Sequence, residues 1–524
     1  MRIPTIVIWS LLSLCSAVAS ASAQSSEWDT LNGEVMSLYQ KGRYAQAVTV
    51  AEKALEVAEK DFGPEHPNVA SSLNNLALLY ETQGKRAQAE PYYARSLAIK
   101  EKVYGPEHSS VATSLNNLAL LYANQARYDE AEPLYRRALA IREKVLGPEH
   151  SDVAQSLNNL AELYVARNRY AEAESSFKRA IEIEEKVFGP DHSEVATTVT
   201  NLAALYKAQG QYDRAEPLYK RSLAILEKNL GPEHPDVAGS LNNLAGLCES
   251  QGRYDQAESL YKRSLAIREK VLGPDHSLVG SVLNNLAWLS RRQGQYAQAE
   301  PLYRRALAIK EKTLGPDHPD VATIVNNLAL LYDAQEKWSQ AEPLLQRALA
   351  IRETRLGPEH PEVARSLNNL ASVCDSLGKV EQAESLYKRS LAIKEKVLGP
   401  EHPDVATSLN NLALLYDNQG DYVRARPLYE RALAIREKAL GPEHLDVAQS
   451  LNNLAGLHDS RRDYLQAEPL YKRALAIREK GLGPDHPKVA AILENLAKLY
   501  RAMDRARDAE ELESRAARIR VTKP

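Results

Sequence analysis

A Gly-Pro-acid-His tetrad returns every 42 residues, starting at Gly63, Gly105, Gly147, Gly189, Gly231, Gly273, Gly315, Gly357, Gly399, Gly441 and Gly483, with no insertion or deletion. A fixed period of this length marks a stacked repeat array. It overrides the three or four globular domains that 524 residues would otherwise suggest. Eleven of the 12 histidines belong to the tetrad.

Between tetrads the pattern has two helical parts. After Gly105, the residues Val111, Leu115, Leu118, Ala119 and Tyr122 recur at three- and four-residue spacing and form one apolar stripe. A break follows at Asn124 to Arg127, occupied elsewhere by Gln-Gly, as at Gln209-Gly210 and Gln251-Gly252. A second stripe then runs through Ala131, Leu134, Tyr135, Ala138, Leu139 and Ile141. Gly147 supplies the positive φ that ends a helix, Pro148 prevents continuation, and Lys144 complements the helix dipole. The next helix opens with Ser or Pro and an acid, as in Ser151-Asp152 and Pro235-Asp236.

One such hairpin cannot bury both stripes, so neighbours must stack. The expected fold is all-α: an α-α superhelix of about twelve antiparallel helix pairs. The first unit is expected at about 27–62, with 42-residue units thereafter and a capping helix at about 505–521. The end units depart from the pattern, as caps should. The first lacks Leu-Asn-Asn, and the last helix carries Glu510, Glu511, Glu513, Arg515 and Arg518 for a face that meets water.

The order Leu, Leu-Ala, Tyr, Gly-x-Tyr, Ala, Tyr, Ala resembles the tetratricopeptide repeat (TPR). Leu-Asn-Asn-Leu-Ala (Leu115 to Ala119) and Gly-Pro-Glu-His-Pro-Asp-Val-Ala (Gly231 to Ala238) resemble its kinesin-light-chain type. The resemblance covers about Glu27 to Val521. It implies a module that binds a protein or peptide in a concave groove and uses no cofactor. A motor-subunit role does not carry over, because the chain has an export signal and lacks an N-terminal heptad segment.

That signal rests on Arg2, a short apolar run from Ile6 to Leu14, and Ala21-Ser22-Ala23 as a small-residue cleavage site. Residues 1–23 are expected to be removed, leaving 24–524 in the periplasm or secreted. Leu14 before Cys15 is a poor lipoprotein signal, and an uncleaved anchor is the alternative. No later segment has the 18 or more apolar residues of a membrane helix, so no transmembrane segment is expected in the mature chain. A formal net charge of −3 lacks the basic excess of a general nucleic-acid binder. Cys248 and Cys374 lie three periods apart, roughly 30 Å in a stack with about 10 Å between neighbours. A disulfide needs Cα atoms within about 7 Å, so an intrachain bridge is excluded on this arrangement.

The residues favour no catalytic chemistry. Successive tetrad histidines, about 10 Å apart, cannot share an ion whose ligands sit about 2 Å away. They read as turn residues. His458, Cys248, Cys374 and Ser290 each occupy the helix position of Tyr416 and read as packing substitutions. No Gly-rich phosphate loop, His-Glu-x-x-His or zinc-spaced cysteine pair occurs, and the repeats leave no room for a catalytic domain. A non-enzymatic chain without metal or cofactor is expected.

Binding candidates are the positions that vary on the fixed frame. In the resembled family, one face of the first helix lines the concave groove. Here that face carries Asn74, Asn116, Asn158, Asn242, Asn284, Asn326, Asn368, Asn410 and Asn452, interrupted by Thr200 and Glu494. Such amides could hold an extended peptide backbone or bond to neighbouring helices, and both readings stand at this point. The following asparagine, Asn117 and its equivalents in all eleven units, reads as a structural amide. One turn along the face come Glu81, Ala123, Val165, Lys207, Glu249, Arg291, Asp333, Asp375, Asp417, Asp459 and Arg501. The four consecutive aspartates would form an acidic column about 30 Å long, suited to a basic partner for the C-terminal half or to simple solvation. Trp288, beside Arg291 and Arg292, is a candidate anchor. Trp338 replaces a loop tyrosine and reads as core. The expected function is an exported interaction scaffold. The alternative is a structural or assembly component of an envelope secretion or polysaccharide-export machine.

Overall fold

A computed structural model describes residues 27–522, all of whose regular structure is helical. The cleavage signal expected at 1–23 lies outside the described residues. Unit 1 pairs Glu27–Gln40 with Tyr44–Phe62. Units 2 to 12 open at Pro67, Ser109, Ser151, Ser193, Pro235, Ser277, Pro319, Pro361, Pro403, Leu445 and Pro487, each pairing a first helix with a second, down to Ala506–Thr522.

The tetrad sets the boundaries by two different means. Its glycine ends each second helix at φ between +83° and +89°, where a side chain would be strained. Its histidine caps the next first helix. In all eleven tetrads Nδ1 accepts the backbone N–H two residues on, at 3.0 to 3.2 Å. The turn inside a unit closes differently. Lys85 N–H reaches back to Tyr80 O at 2.8 Å and Gly84 N–H to Glu81 O at 2.8 Å, which satisfies the last carbonyls of the first helix.

The first helices are buried on more than one stripe. In unit 3, Leu121 is buried along with Leu115, Leu118 and Ala119, while Tyr122 stays partly exposed. The helix is a middle layer, packed on its own partner and on both neighbouring units. First helices of successive units also touch one another, as Pro361–Ser376 and Pro403–Asn418 do, more closely than second helices do. The first helices therefore lie on the inside of the curve.

Two polar devices lock unit to unit. A buried cation near the end of a second helix reaches the first turn of the next unit. Arg142 donates to Asp152 O at 2.8 Å and Ser156 Oγ at 2.9 Å, and Arg436 to Asp446 O at 3.0 Å and Ser450 Oγ at 2.9 Å. Equivalent bonds come from Arg268, Lys394 and Arg478. An amide ladder does the same on the inner side. Asn117 donates to Asn74 at 2.7 Å, Asn201 to Asn158 at 2.9 Å and Asn369 to Asn326 at 2.8 Å.

The curve closes after six units. His318 in unit 8 bonds through Nε2 to Thr82 O in unit 2, and His360 in unit 9 to Asn124 O in unit 3, each at 3.2 Å. His402 in unit 10 comes up against the equivalent Ala166 in unit 4. Gly210 in unit 5 lies under His444 in unit 11, and Gly252 in unit 6 under His486 in unit 12. The chain is thus two superhelical turns of about six units, the second resting on the first. Cys248 and Cys374 are free and buried.

Candidate binding face inside the superhelix

Because the first helices line the inside, their unburied residues face the superhelix axis. The asparagine column lies at the edge of this surface. Asn74, Asn116, Asn158, Asn326 and Asn410 are buried, while Asn242, Asn284, Asn368 and Asn452 are half-buried. Six of their carbonyl oxygens are taken by the next unit's amide: those of Asn74, Asn158, Asn242, Asn284, Asn326 and Asn452. The oxygens of Asn116, Asn368 and Asn410 are buried with no partner among the described residues.

Four residues beyond each asparagine lies the position that differs most between units: Leu78, Leu120, Glu162, Ala204, Gly246, Trp288, Leu330, Ser372, Leu414, Gly456 and Lys498. Leu414 is 47% exposed, although it is a large apolar side chain. Only Trp288 was singled out of this row by sequence. Glu162, missed because its equivalents are mostly apolar, keeps some solvent contact yet has protein on every side. Its Oε1 accepts Asn158 Nδ2 at 3.1 Å and Asn201 Nδ2 at 2.9 Å. Burial outweighs those two bonds and pushes the carboxyl up to about 7.

A connected cluster spans units 5 to 7. The Trp288 indole donates to Glu249 Oε1 at 2.9 Å, and the Arg291 guanidinium lies 4.2 Å from the indole centroid. Arg292 stands 3.6 Å from the same Glu249 oxygen. Lys207 reaches across Gly246, whose missing side chain makes room: a Cβ there would sit 2.9 Å from Nζ. Burial pushes the Lys207 ammonium down to about 8, opposed by the Glu249 charge.

The C-terminal half carries the acidic column. Asp333, Asp375, Asp417 and Asp459 are half-buried. Among the described residues, none is within ion-pairing distance of a cation. Trp338, partly buried, donates to Asp333, and Asn418 to Asp375. Burial raises all four carboxyls above the usual aspartate range. The face is therefore graded: a tethered aromatic and cationic cluster in the middle, and beyond it carboxylates outside any ion pair, with Arg291 opposing the shift of Asp333 and Lys498 that of Asp459.

The tetratricopeptide repeat model matches in overlapping pairs of units from 29–102 to 460–520, nearly end to end. The chain belongs to the tetratricopeptide repeat family. Its units are of the kinesin-light-chain type. The crystallised, nearly identical TPR-like repeats of a putative kinesin light chain from Podosopora anserina share 31% identity, covering 39% of this chain and 97% of that one at a TM-score of 0.34. BtubC (BKLC) from P. vanneervenii shares 30% identity over 44% of this TPR chain and 90% of its own, with a TM-score of 0.35. A Rap protein complexed with competence and sporulation factor shares 16% identity over 71% of this chain and 99% of its own, at 0.49. No curated protein matches the TPR chain significantly. Among the described residues, no helix is long and apolar enough to cross a membrane.

Proposed function

We propose that this TPR protein is an exported, non-catalytic scaffold that holds a basic segment of a partner protein against the inner face of its second turn. The carrying observation is the row of half-buried aspartates in four consecutive units, none in an ion pair among the described residues, with Arg291 acting on Asp333 and Lys498 on Asp459 only from further off. A half-buried carboxylate without an ion-pair partner gains most from a cation that arrives with the ligand. Of the asparagine column, the half-buried Asn284, Asn368 and Asn452 border this part of the face, where their amide hydrogens can meet a peptide backbone. Trp288 anchors one end. Export rests on Arg2, the Ile6–Leu14 run and Ala21-Ser22-Ala23.

A fluorescent arginine- and lysine-rich peptide, titrated into the protein, tests the reading. Binding should weaken with salt and at least tenfold in the D333N/D375N/D417N/D459N variant. Equal binding by variant and native protein would remove the acidic column from the function. The location is checked by N-terminal sequencing of the protein recovered outside the cytoplasm. An unprocessed Met1 on cytoplasmic material would overturn it.

The turn-on-turn packing favours a second reading, a rigid spacer in an envelope secretion or polysaccharide-export machine. A spacer would tolerate the four asparagines with its assembly intact.

A further inference from the structure

A superhelix whose turns rest on each other has no built-in end. The seam inside the chain is heterologous: the within-unit turns of units 2 to 6 lie on the helix starts of units 8 to 12. Among the described residues, both kinds of edge are uncovered at the outside, helix starts on the first turn and within-unit turns on the second. A second copy set one turn further along the axis would meet this chain across the same kind of seam. A heterologous contact that does not close propagates into a filament.

The covered and uncovered edges differ in sequence. On the covered edge, the left-handed residue of each turn is never larger than asparagine: Gly84, Ala126, Asn168, Gly210 and Gly252. The space there is small, since a Cβ on Gly84 would come 2.8 Å from Pro319 Cδ. On the uncovered edge, three of the same positions are Glu336, Arg462 and Asp504, held at φ +59°, +62° and +58°. Side chains are disfavoured in that region; aspartate tolerates it through local hydrogen bonding, but Glu336 and Arg462 have no such gain to offset it. Their neighbours Gly294, Gly378 and Gly420 have open space around them.

The opposing edge differs less sharply. Covered first helices of units 8 to 12 begin with Pro319, Pro361, Pro403, Leu445 and Pro487. Uncovered ones on the first turn begin with serine at Ser109, Ser151 and Ser193 and with proline at Pro67 and Pro235.

We infer that the outer edge of the second turn is an end stop: Glu336, Arg462 and Asp504 keep a second copy from adding a third turn. The latent interface is head-to-tail, and charge at three turns, with added length at Glu336 and Arg462, blocks it. This holds whatever the inner face binds.

The E336G/R462G/D504G variant tests it by sedimentation over a wide concentration range. The native chain should keep the mass of one chain. The variant, with helicity unchanged, should reach at least twice that mass, and adding Gly420→Arg should return it to one. Should the glycines loosen the turns, alanines at the same three positions, a residue Ala126 shows to be accepted, give the same readout. A folded variant that stays at single-chain mass overturns the inference. So does a native chain whose mass grows with concentration until Gly420→Arg stops it.

Discussion

His318 in unit 8 and Thr82 in unit 2 are joined across 236 residues of chain, Nε2 to carbonyl oxygen, at 3.2 Å. The same ring accepts the Asp320 N–H on Nδ1 at 3.0 Å. The two bonds together require the neutral tautomer protonated on Nε2. A second proton would remove the cap and place a cation at the positive end of a helix dipole.

The seam between turns should therefore open in acid. His402 and His444 are held below the usual histidine range by burial, with Lys394 and Arg436 pushing the same way and Asp404 and Asp446 opposing. A base whose folded value is depressed stabilises the fold above its unfolded value, about 6.5. That stability is lost as pH falls through 6.5 toward the folded values. The maximum dimension from small-angle scattering should rise between pH 7.5 and 5 while far-ultraviolet helicity holds. An unchanged scattering profile would mean that the histidines do not govern the seam.

A different weakness sits between units 4 and 5. Where Arg142 or Arg436 bridges to the next unit, unit 4 has Glu184, 6% exposed. Its Oε1 accepts Thr198 Oγ1 at 2.9 Å, and its Oε2 has no partner. Burial pushes the carboxyl up to about 8, helped by the Glu194 and Glu185 charges. An acid with a raised folded value costs nothing below its unfolded value. The cost grows from about pH 4.5 to about pH 8 and then levels. Glu184→Gln should therefore leave stability unchanged near pH 4 and raise it at pH 9 by on the order of a few kcal/mol. Urea midpoints at the two pH values decide it, and equal shifts at both would count against a buried, protonated carboxyl.

The period and the helix pairs were legible because Gly147, Pro148 and the apolar spacing act locally. The histidine at each tetrad read as a turn residue, but its use as an N-cap did not, since Ser, Thr, Asp and Asn are the usual caps. Glu162 escaped notice because the rest of its row suggested an apolar position. The meeting of Thr82 with His318 could not be read from any one unit. It comes from a small rotation per repeat summed over six. Its trace in the sequence is slight: charged Glu336 and Arg462 stand where the covered turns have Gly84, Ala126 and Gly210, which has meaning only once the seam is known.

The amide ladder gives a paired comparison. Asn117 is 3% exposed and donates to Asn74 Oδ1 at 2.7 Å, so Asn117→Ala strands a buried carbonyl. Such a loss costs about 1–3 kcal/mol. Asn159 stands in the same place one unit on, but the Asn116 oxygen it faces is already without a partner. Asn159→Ala should cost clearly less. Thermal unfolding of the two variants side by side settles whether the ladder carries stability or only fills space.

Coupling across the seam can be measured by loosening one unit and watching another. Leu118 in unit 3 is 5% exposed, and Leu118→Ala should destabilise its surroundings by about 2–5 kcal/mol. In a simple repeat array the effect would fade through the nearest neighbours, units 2 and 4. Here unit 3 also holds His360 through the Asn124 carbonyl. Hydrogen exchange should therefore quicken in units 2 to 4 and again in the first turn of Pro361–Ser376, while Pro487–Ala502 keeps its protection. Protection lost only in units 2 to 4 would show that the turns touch without sharing stability. A uniform loss along the chain would mean that all twelve units unfold as one. The intermediate pattern alone fits a chain whose cooperativity runs both along the stack and across the seam.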